Sequence, residues 1–148
     1  SVFMPILATN KRANFDYEII QTWESGLALT GNEVKAIRQG LASLKESYVM
    51  VKNSELFLTG AHIGKYPKSG EVAYDPIRDR KLLLKKAEIM QIIGLKTQQG
   101  LTLIPIKLYT SGHRIKLEIG LGRGRKKADK RELIKKRDLD REIRRDLA

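Results

Sequence analysis

Apolar and polar side chains alternate along residues 114–121. Since successive side chains of a strand point to opposite sides of the sheet, this alternation predicts a half-buried strand with a cationic outer face. Residues 101–109 are the predicted hairpin partner of this strand, with the turn at Ser111-Gly112. The apolar positions of the strand are Ile115, Leu117, Ile119 and Leu121, and the polar positions are Arg114, Lys116 and Glu118.

Three further segments, at 17–23, 48–52 and 55–63, have the composition of strands. Asn53-Ser54 is a predicted turn between the last two. Pro105 has no N–H group to give to a neighbouring strand, so we expect it at a sheet edge or at a bulge.

Two segments have helical patterns. Thr30 and Glu33 have the spacing of a capping box, and Gly40 is a natural stop, so a short helix is predicted between them. A second helix is predicted over Arg80–Ile93, ended by Gly94, because apolar residues there form a broad stripe at helical spacing. The stripe consists of Leu82, Leu83, Ala87, Ile89, Met90 and Ile93.

Five or six short strands with two helices predict a mainly β fold. The expected architecture is a small antiparallel barrel of the oligonucleotide-binding (OB) type, with two or three flanking helices and a basic C-terminal tail. A split β-α-β sheet is the alternative, because periodicity alone does not separate the two architectures.

The charge of the chain indicates what kind of partner it binds. The 29 Lys and Arg against 17 Asp and Glu give a net charge of +12, which indicates a polyanionic partner, with nucleic acid favoured over a membrane surface. Residues 123–148 hold 12 basic and 6 acidic side chains, and residues 1–122 hold the other 17 and 11. We therefore predict an RNA-binding barrel over 1–122 and a basic tail over 123–148.

Several function classes have no support in the sequence. There is no apolar run near the roughly 20 residues that span a bilayer and no segment typical of a signal peptide. Cysteine is absent, which excludes disulfides and thiolate metal sites and fits a reducing cytoplasm. No catalytic, metal-binding or cofactor motif is present, so we expect no enzyme activity, no metal and no cofactor. The glycines of 120–124 lack the spacing of a dinucleotide loop and are interpreted as a flexible hinge.

Basic residues concentrate in three clusters that predict phosphate contacts, and Lys116 on the outer face of its strand is placed to join them. Such contacts release counterions, so RNA affinity is expected to fall steeply with salt. The first cluster is Asn10-Lys11-Arg12. The second, around the start of the predicted second helix, is Arg78, Arg80 and Lys81 with Lys85 and Lys86. The third is Arg123, Arg125, Lys126 and Lys127.

Residues 129–147 contain neither Gly nor Pro, and good helix formers dominate. Leu139, Ile143 and Leu147 lie four apart and form one narrow apolar seam. Such a helix is marginal alone in water, so we predict a tail that folds on contact with a partner. An ordinary solvated C-terminal helix is the alternative.

Several separated segments together resemble one family, small protein B, also called the SsrA-binding protein family. The resemblance runs in register from about Asn10 to the C-terminus. The segments are Asn10–Ala13, Tyr17–Ile19, Glu24–Lys35, Asp75–Leu84 and Asp129–Glu132.

The resemblance implies an OB-type barrel that binds the tRNA-like domain of transfer-messenger RNA. It also implies trans-translation, in which protein and RNA enter the vacant A site of a stalled ribosome. The tail would then lie by the decoding centre and in the empty mRNA channel. Elongation factor Tu is the expected partner in delivery, the expected location is cytoplasmic, and no membrane partner or catalysis is expected.

Site residues follow from the matching segments and the basic clusters. Leu83 is expected to pack on an exposed base, with a place in the core of the second helix as the alternative. Ala128 stands where the family often has His or an aromatic residue. The predicted RNA-binding residues are Asn10, Lys11, Arg12, Glu24, Lys81, Leu83, Lys116, Arg123, Arg125, Lys126 and Lys127. The predicted ribosome-contacting residues of the tail are Asp129, Lys130 and Arg131.

Two other functions share the charge of this chain. A structural ribosomal protein or an initiation-type OB module would bind a different RNA and stay on purified ribosomal subunits at high salt. A nuclease or other RNA enzyme is disfavoured by the missing acid–base and metal-ligand groups.

Overall fold

A computed structural model describes residues 4–147, so the outermost ends of the two predicted regions lie outside the described residues. Nine strands and four helices are present within that range. In chain order they are β1 (Ile6–Thr9), α1 (Ala13–Asp16), β2 (Tyr17–Leu27), α2 (Gly31–Arg38), β3 (Ala42–Ser43), β4 (Tyr48–Lys52), β5 (Glu55–Thr59), β6 (His62–Ile63), β7 (Arg80–Leu83), α3 (Lys86–Gln99), β8 (Thr102–Ser111), β9 (Arg114–Gly124) and α4 (Lys127–Leu147).

Seven strands form one antiparallel sheet in the order β1-β8-β9-β2-β7-β5-β4, and β3 pairs with β6 in a separate ribbon. The sheet curls on itself, so that β4 lies against β8. Every strand pair between residues 4 and 147 is antiparallel. In a split β-α-β unit, a helix joins two parallel strands that lie on either side of a third strand. Here β7 and β8, which α3 joins, run in opposite directions, as do β1 and β2, which α1 joins, so that alternative is wrong. The predicted mainly β, OB-type fold is confirmed, and we call residues 6–124 the barrel.

The predicted alternation in β9 is confirmed, because its four apolar residues are all in the buried core. The strand pairs with β8 as expected, and the turn between them consists of Gly112 and His113, one residue later than predicted. Pro105 lies in an interior strand of the sheet, at a break in the β8–β9 register. The bulge there accommodates the missing N–H group. Of the two expected places for Pro105, a sheet edge or a bulge, the bulge is therefore the correct one.

The first predicted helix is confirmed as α2. The Thr30 hydroxyl accepts from the Glu33 N–H at 3.2 Å, and the Glu33 carboxylate accepts from the Thr30 N–H at 3.0 Å. This is the reciprocal capping box that satisfies two free N–H groups at the start of a helix. The chain leaves the helix at Gln39, and Gly40 follows with a φ of 80°.

The second predicted helix has the wrong boundaries. Arg80–Leu83 is the strand β7, in which Arg80 and Leu82 are buried while Lys81 and Leu83 are exposed. The helix α3 begins later, at Lys86, and passes through Gly94 to Gln99. Gly100 ends it in the left-handed conformation that glycine adopts without a steric penalty.

The interpretation of residues 120–124 as a flexible hinge is wrong, because they are part of β9. Neighbouring side chains fill the space that a side chain at Gly120 or Gly122 would need. A Cβ on Gly122 would lie 2.9 Å from Ile104 Cδ1 and 3.0 Å from Tyr17 Cβ. These glycines therefore allow close packing inside the sheet.

No helix within residues 4–147 is both long enough and apolar enough to cross a membrane.

Candidate nucleic-acid interface

One row of residues crosses four neighbouring strands on the outer face of the barrel. Tyr109 of β8 pairs with Lys116 of β9, Lys116 pairs with Gly26 of β2, and Gly26 pairs with Leu83 of β7. Directly opposed residues of antiparallel strands project to the same side of the sheet. Lys116 and Leu83, which lie 33 positions apart in the sequence, therefore stand on either side of a glycine.

Lys116, Gly26 and Leu83 of this row line an open groove of about 1270 Å³, which we call the β-face groove. Four predicted RNA-binding residues line it together, and they come from three strands. Two lysines of the second basic cluster also line it, just before α3 and at its first residue. The sequence interpretation did not single out two further lining residues on the β8–β9 hairpin and one on α3 as RNA-binding. The predicted residues are Glu24, Lys81, Leu83 and Lys116, and the additional ones are His113, Arg114, Lys85, Lys86 and Met90.

Leu83 is half exposed in the β-face groove, with 51% of its surface accessible. Its place in a strand excludes the alternative that it packs in the core of a helix. Met90 lines the same groove and is 58% exposed. The Leu83 side chain lies against the bare backbone of Gly26, where a Cβ would be 3.3 Å from Leu83 Cβ and 3.7 Å from Leu83 Cδ1. The groove thus offers two exposed apolar side chains alongside five cations, four lysines and one arginine.

Glu24 is exposed, and its Oε2 accepts a hydrogen bond from the Tyr109 hydroxyl. Burial, and then this hydrogen bond, raise the pKa of Tyr109. The hydroxyl therefore stays protonated and fixes the position of the carboxylate. Next to this pair, Lys107 lies 4.0 Å from Glu118 and 5.9 Å from the centre of the Tyr109 ring.

A buried carboxylate, Glu33 of α2, fixes the start of β7. Arg80 is fully buried and donates to Glu33 Oε2 from Nε at 2.9 Å and from Nη2 at 2.7 Å. Arg78 donates to both Glu33 oxygens. The Tyr74 hydroxyl lies 3.1 Å from Glu33 Oε2, and Arg80 Nη1 donates to the Ala61 carbonyl at 2.8 Å. This network holds the strand that carries Lys81 and Leu83.

Burial alone would raise the pKa of Glu33. Hydrogen bonds donated by Arg78, by the Thr30 backbone N–H and by Arg80 outweigh burial and lower this pKa from its ordinary value of 4.5 to about 2. Glu33 is therefore a permanent anion near neutral pH. Its partners, Arg78 and Arg80, are the members of the second basic cluster that the sequence placed at the start of a helix. That cluster is instead divided: its arginines pair internally, and Lys81, Lys85 and Lys86 are exposed.

Asn10, Lys11 and Arg12 are not part of the β-face groove. They line a second groove of about 900 Å³, which has no lining residue in common with the first. The Asn10 side chain donates from Nδ2 to the Pro105 carbonyl at 2.8 Å, and the Asn10 N–H donates to the Ile106 carbonyl at 2.8 Å. Asn10 therefore ties the segment before α1 to the bulge of β8.

The third basic cluster is spread over three kinds of structure. Arg123 is exposed in β9, opposite Glu18 of β2. Arg125 and Lys126 form the two-residue link that follows Gly124, and Lys127 is the first residue of α4.

The predicted tail residues occupy the first turns of α4. Asp129 Oδ2 accepts from the Lys126 N–H at 3.3 Å, which caps the helix, and Lys130 Nζ lies 3.3 Å from Asp16 Oδ1. Arg131 is exposed. The tail is helical throughout Lys127–Leu147, and no residue of this helix is buried.

No group of three or more His, Asp or Glu side chains within residues 4–147 is arranged to hold a metal ion.

The profile of the SmpB protein family matches residues 7–148, which includes the barrel and the tail. The chain belongs to the SmpB family. The predicted family is thus confirmed over nearly the whole sequence.

Individual relatives agree with the family profile. The SsrA-binding protein of Acetivibrio thermocellus is 49% identical over 138 residues, covering 93% of this chain and 90% of the relative. The SsrA-binding protein of Gloeobacter violaceus is 49% identical over 140 residues, covering 95% and 92%.

A solved structure described as "tmRNA-SmpB: a journey to the center of the bacterial ribosome" is also similar. It has a TM-score of 0.67 and 42% identity, and the alignment covers 83% of this chain and 86% of the solved one. The likeness to this structure therefore extends over most of both chains.

Proposed function

We propose that this chain binds the tRNA-like domain of transfer-messenger RNA in the β-face groove. The observation that carries the proposal is the row Lys116–Gly26–Leu83, which unites residues from three strands in one open groove. Membership in a family whose relatives are SsrA-binding proteins supports the identity of the RNA.

Phosphate binding is the main electrostatic contribution. Lys81 and Lys116 line the groove together with Lys85, Lys86 and Arg114. Each phosphate that a Lys or Arg neutralises releases counterions from the RNA, so several such contacts give affinity that falls steeply with salt. These contacts position the RNA but do not read its sequence.

Recognition of a folded RNA needs contacts other than phosphate contacts. Leu83, which lies against the bare backbone of Gly26, provides an exposed apolar surface for the face of an unstacked base. Glu24 provides a carboxylate, held by Tyr109, that accepts hydrogen bonds from a sugar hydroxyl or a base edge. Asn10, Lys11 and Arg12 form a further contact surface in the second groove.

We propose a division of labour in which the barrel holds the RNA and the tail engages the ribosome. The 21 residues of α4 reach about 32 Å at 1.5 Å per residue, well beyond the barrel. On a ribosome stalled at the end of a truncated message, the tail lies by the decoding centre and in the vacant mRNA channel. The protein works there by binding and catalyses no reaction of its own; it acts in the cytoplasm, and elongation factor Tu takes part in delivery.

The experiment is reconstituted translation of a message that lacks a stop codon, with transfer-messenger RNA present. Addition of this chain is expected to produce peptides that carry the tag encoded by that RNA. A parallel reaction with a message that ends in a stop codon is the control and should yield little tagged peptide. Tagging that does not depend on the chain, or that is equal on both messages, would contradict the proposal.

A further inference from the structure

Among residues 4–147, three carboxylates line the β-face groove beside its five cations, and they belong to Glu24, Glu55 and Glu88. A carboxylate repels the phosphates that the cations attract, so its presence in such a groove calls for a physical reason. Two of the three hold local structure. Glu24 accepts from the Tyr109 hydroxyl, and Glu88 Oε1 accepts from the Lys85 N–H at 3.1 Å where α3 begins. Glu55 is different.

A tight turn fixes the position of Glu55. Asn53 and Ser54 join β4 to β5, and both have a left-handed backbone, with φ of 52° and 58°. Two central residues with positive φ match the right-handed twist of a β-hairpin and set its register. Lys52 and Glu55 are the pair that closes this turn. Asn53, Ser54 and Glu55 all line the groove, so the carboxylate is carried by an ordered hairpin.

Glu55 lies on the same face of the sheet as Lys81. In β5, Leu56 is buried, whereas Glu55 and Phe57 on either side of it are partly exposed. Phe57 pairs with Lys81 of β7, and directly opposed residues project to the same side.

The contact between Glu55 and Lys81 is loose. Glu55 Oε1 lies 3.9 Å from Lys81 Nζ, and 39% and 46% of the two side chains are accessible. This distance is too long for a hydrogen bond, and an exposed pair of this kind contributes little to stability. The main effect of Glu55 is therefore on what can bind beside Lys81.

We propose that Glu55 is a specificity-determining residue, whose negative charge excludes phosphates from the part of the β-face groove around Lys81. An RNA of any shape can offer a phosphate to an accessible lysine, because phosphate contacts carry no sequence information. Glu55 penalises that placement, whereas a sugar hydroxyl or a base amino group at the same place can donate to its carboxylate. Repulsion of wrong partners is one of the two routes to selectivity. The inference rests on the proposed function, because it states how the same groove rejects other RNAs.

The test measures the binding of two RNAs to Glu55→Gln, which removes the charge and keeps the shape of the side chain. Fluorescence anisotropy at fixed salt gives the dissociation constants for the tRNA-like domain and for an unrelated hairpin of equal length. The hairpin should bind about three- to fivefold more tightly than it binds the unchanged chain, which is the scale of one exposed charge pair. Affinity for the tRNA-like domain should change by less than about twofold.

The salt dependence of hairpin binding gives a second readout. In Glu55→Gln the slope of log affinity against log salt should become steeper by about one, because one more phosphate is neutralised and releases its counterions. A substitution that merely loosened the hairpin of β4 and β5 would weaken binding and would not steepen this slope.

The matched control is Glu71→Gln, which removes the same charge from the loop of residues 64–79, outside both grooves. Two further variants keep the proposal testable if a change of packing intervenes. Glu55→Asp retains the charge and should bind both RNAs within about twofold of the unchanged chain. Glu55→Lys should bind the hairpin more tightly than Glu55→Gln does, so that affinity follows the charge at this position.

Equal hairpin affinity in Glu55→Gln and Glu71→Gln, or an equal gain for both RNAs in Glu55→Gln, would overturn the proposal. Failure of the proposed function has a different signature, namely an unchanged chain that binds the two RNAs equally well. The comparison of Glu55→Gln with Glu71→Gln on the hairpin does not use the tRNA-like domain. It therefore supports or contradicts the exclusion of phosphate by Glu55 in either case.

Discussion

Lys116 and Gly26 are direct cross-strand partners on the outer face of the barrel, and Gly26 adds no side chain to that face. No side chain of β2 therefore stands between Lys116 and Leu83 in this row, and both residues line the same groove. A cation, a bare stretch of backbone and an exposed apolar side chain thus follow one another across the sheet. This arrangement of a cation next to an apolar surface suits a phosphate and its attached base.

The first prediction concerns the cation of this row. Lys116→Ala should weaken binding of the tRNA-like domain by about 1–3 kcal/mol, the scale of a hydrogen bond to a charged group. Fluorescence anisotropy at fixed salt measures the dissociation constant. Lys68→Ala, at an exposed position outside the groove, is the matched control and should bind like the unchanged chain. Equal affinity of the two variants would remove Lys116 from the site.

The second prediction separates the tail from the barrel. Deleting residues 129–148 should leave affinity for the tRNA-like domain within about twofold, because exposed charges far from the groove contribute little. The same deletion should abolish peptide tagging on stalled ribosomes. Anisotropy and reconstituted translation measure the two effects. A parallel loss of RNA binding would show that the tail belongs to the RNA-binding surface.

The third prediction concerns close packing in β9. Gly122→Ala should destabilise the fold by about 1–3 kcal/mol, since its Cβ would come within 3.2 Å of the Glu18 carbonyl oxygen as well as against Ile104. Urea denaturation, followed through the single tryptophan, Trp23, measures this change. Gly124→Ala meets no atom within 4 Å and is the control. Equal midpoints for the two variants would mean that Gly122 is a hinge after all.

The fourth prediction concerns the buried carboxylate of α2. Glu33→Gln should destabilise the fold by about 3–5 kcal/mol, because it leaves the buried guanidinium of Arg80 without its anion. Glu142→Gln, at an exposed position of α4, should have little effect and controls for the change of charge. Urea denaturation at neutral pH compares the two variants, and similar stabilities would contradict the structural role of this network.

The same carboxylate predicts a pH dependence. The pKa of Glu33 is lowered on folding, so its contribution to stability is complete above the ordinary value of 4.5 and is lost as pH falls through about 2. The free energy of unfolding of the unchanged chain should therefore decrease between pH 4.5 and pH 2. Glu33→Gln should lack this part of the decrease. A pH profile of the variant parallel to that of the unchanged chain would contradict the assignment.

Where the sequence succeeded, the signal was local. The apolar residues from Arg114 to Leu121 recur at every second position, and this period of two identifies a strand with one buried face. The capping box at Thr30 and Glu33 likewise needs only residues three apart. Family resemblance supplied the grouping of Glu24, Leu83 and Lys116, which the structure brings into one groove.

Where the sequence failed, the deciding contact was distant. Strand β7 alternates buried and exposed residues, but its first buried residue is an arginine, whose partner Glu33 lies 47 positions away. Without that pairing, Leu82 and Leu83 look like two positions of one helical stripe. The glycines of β9 have the composition of a flexible segment, because the side chains that fill the space beside them, Ile106 at Gly120 and Ile104 at Gly122, belong to another strand.

A competition titration tests the central claim most directly, namely that the β-face groove selects one folded RNA. Labelled tRNA-like domain of transfer-messenger RNA is bound to the chain at fixed salt, and either the same RNA or an unrelated hairpin of equal length is added without label. We predict that the unrelated hairpin displaces the label only at roughly 100-fold or greater excess over the matching RNA. Displacement by both RNAs at the same concentration would mean that the chain binds RNA through charge alone.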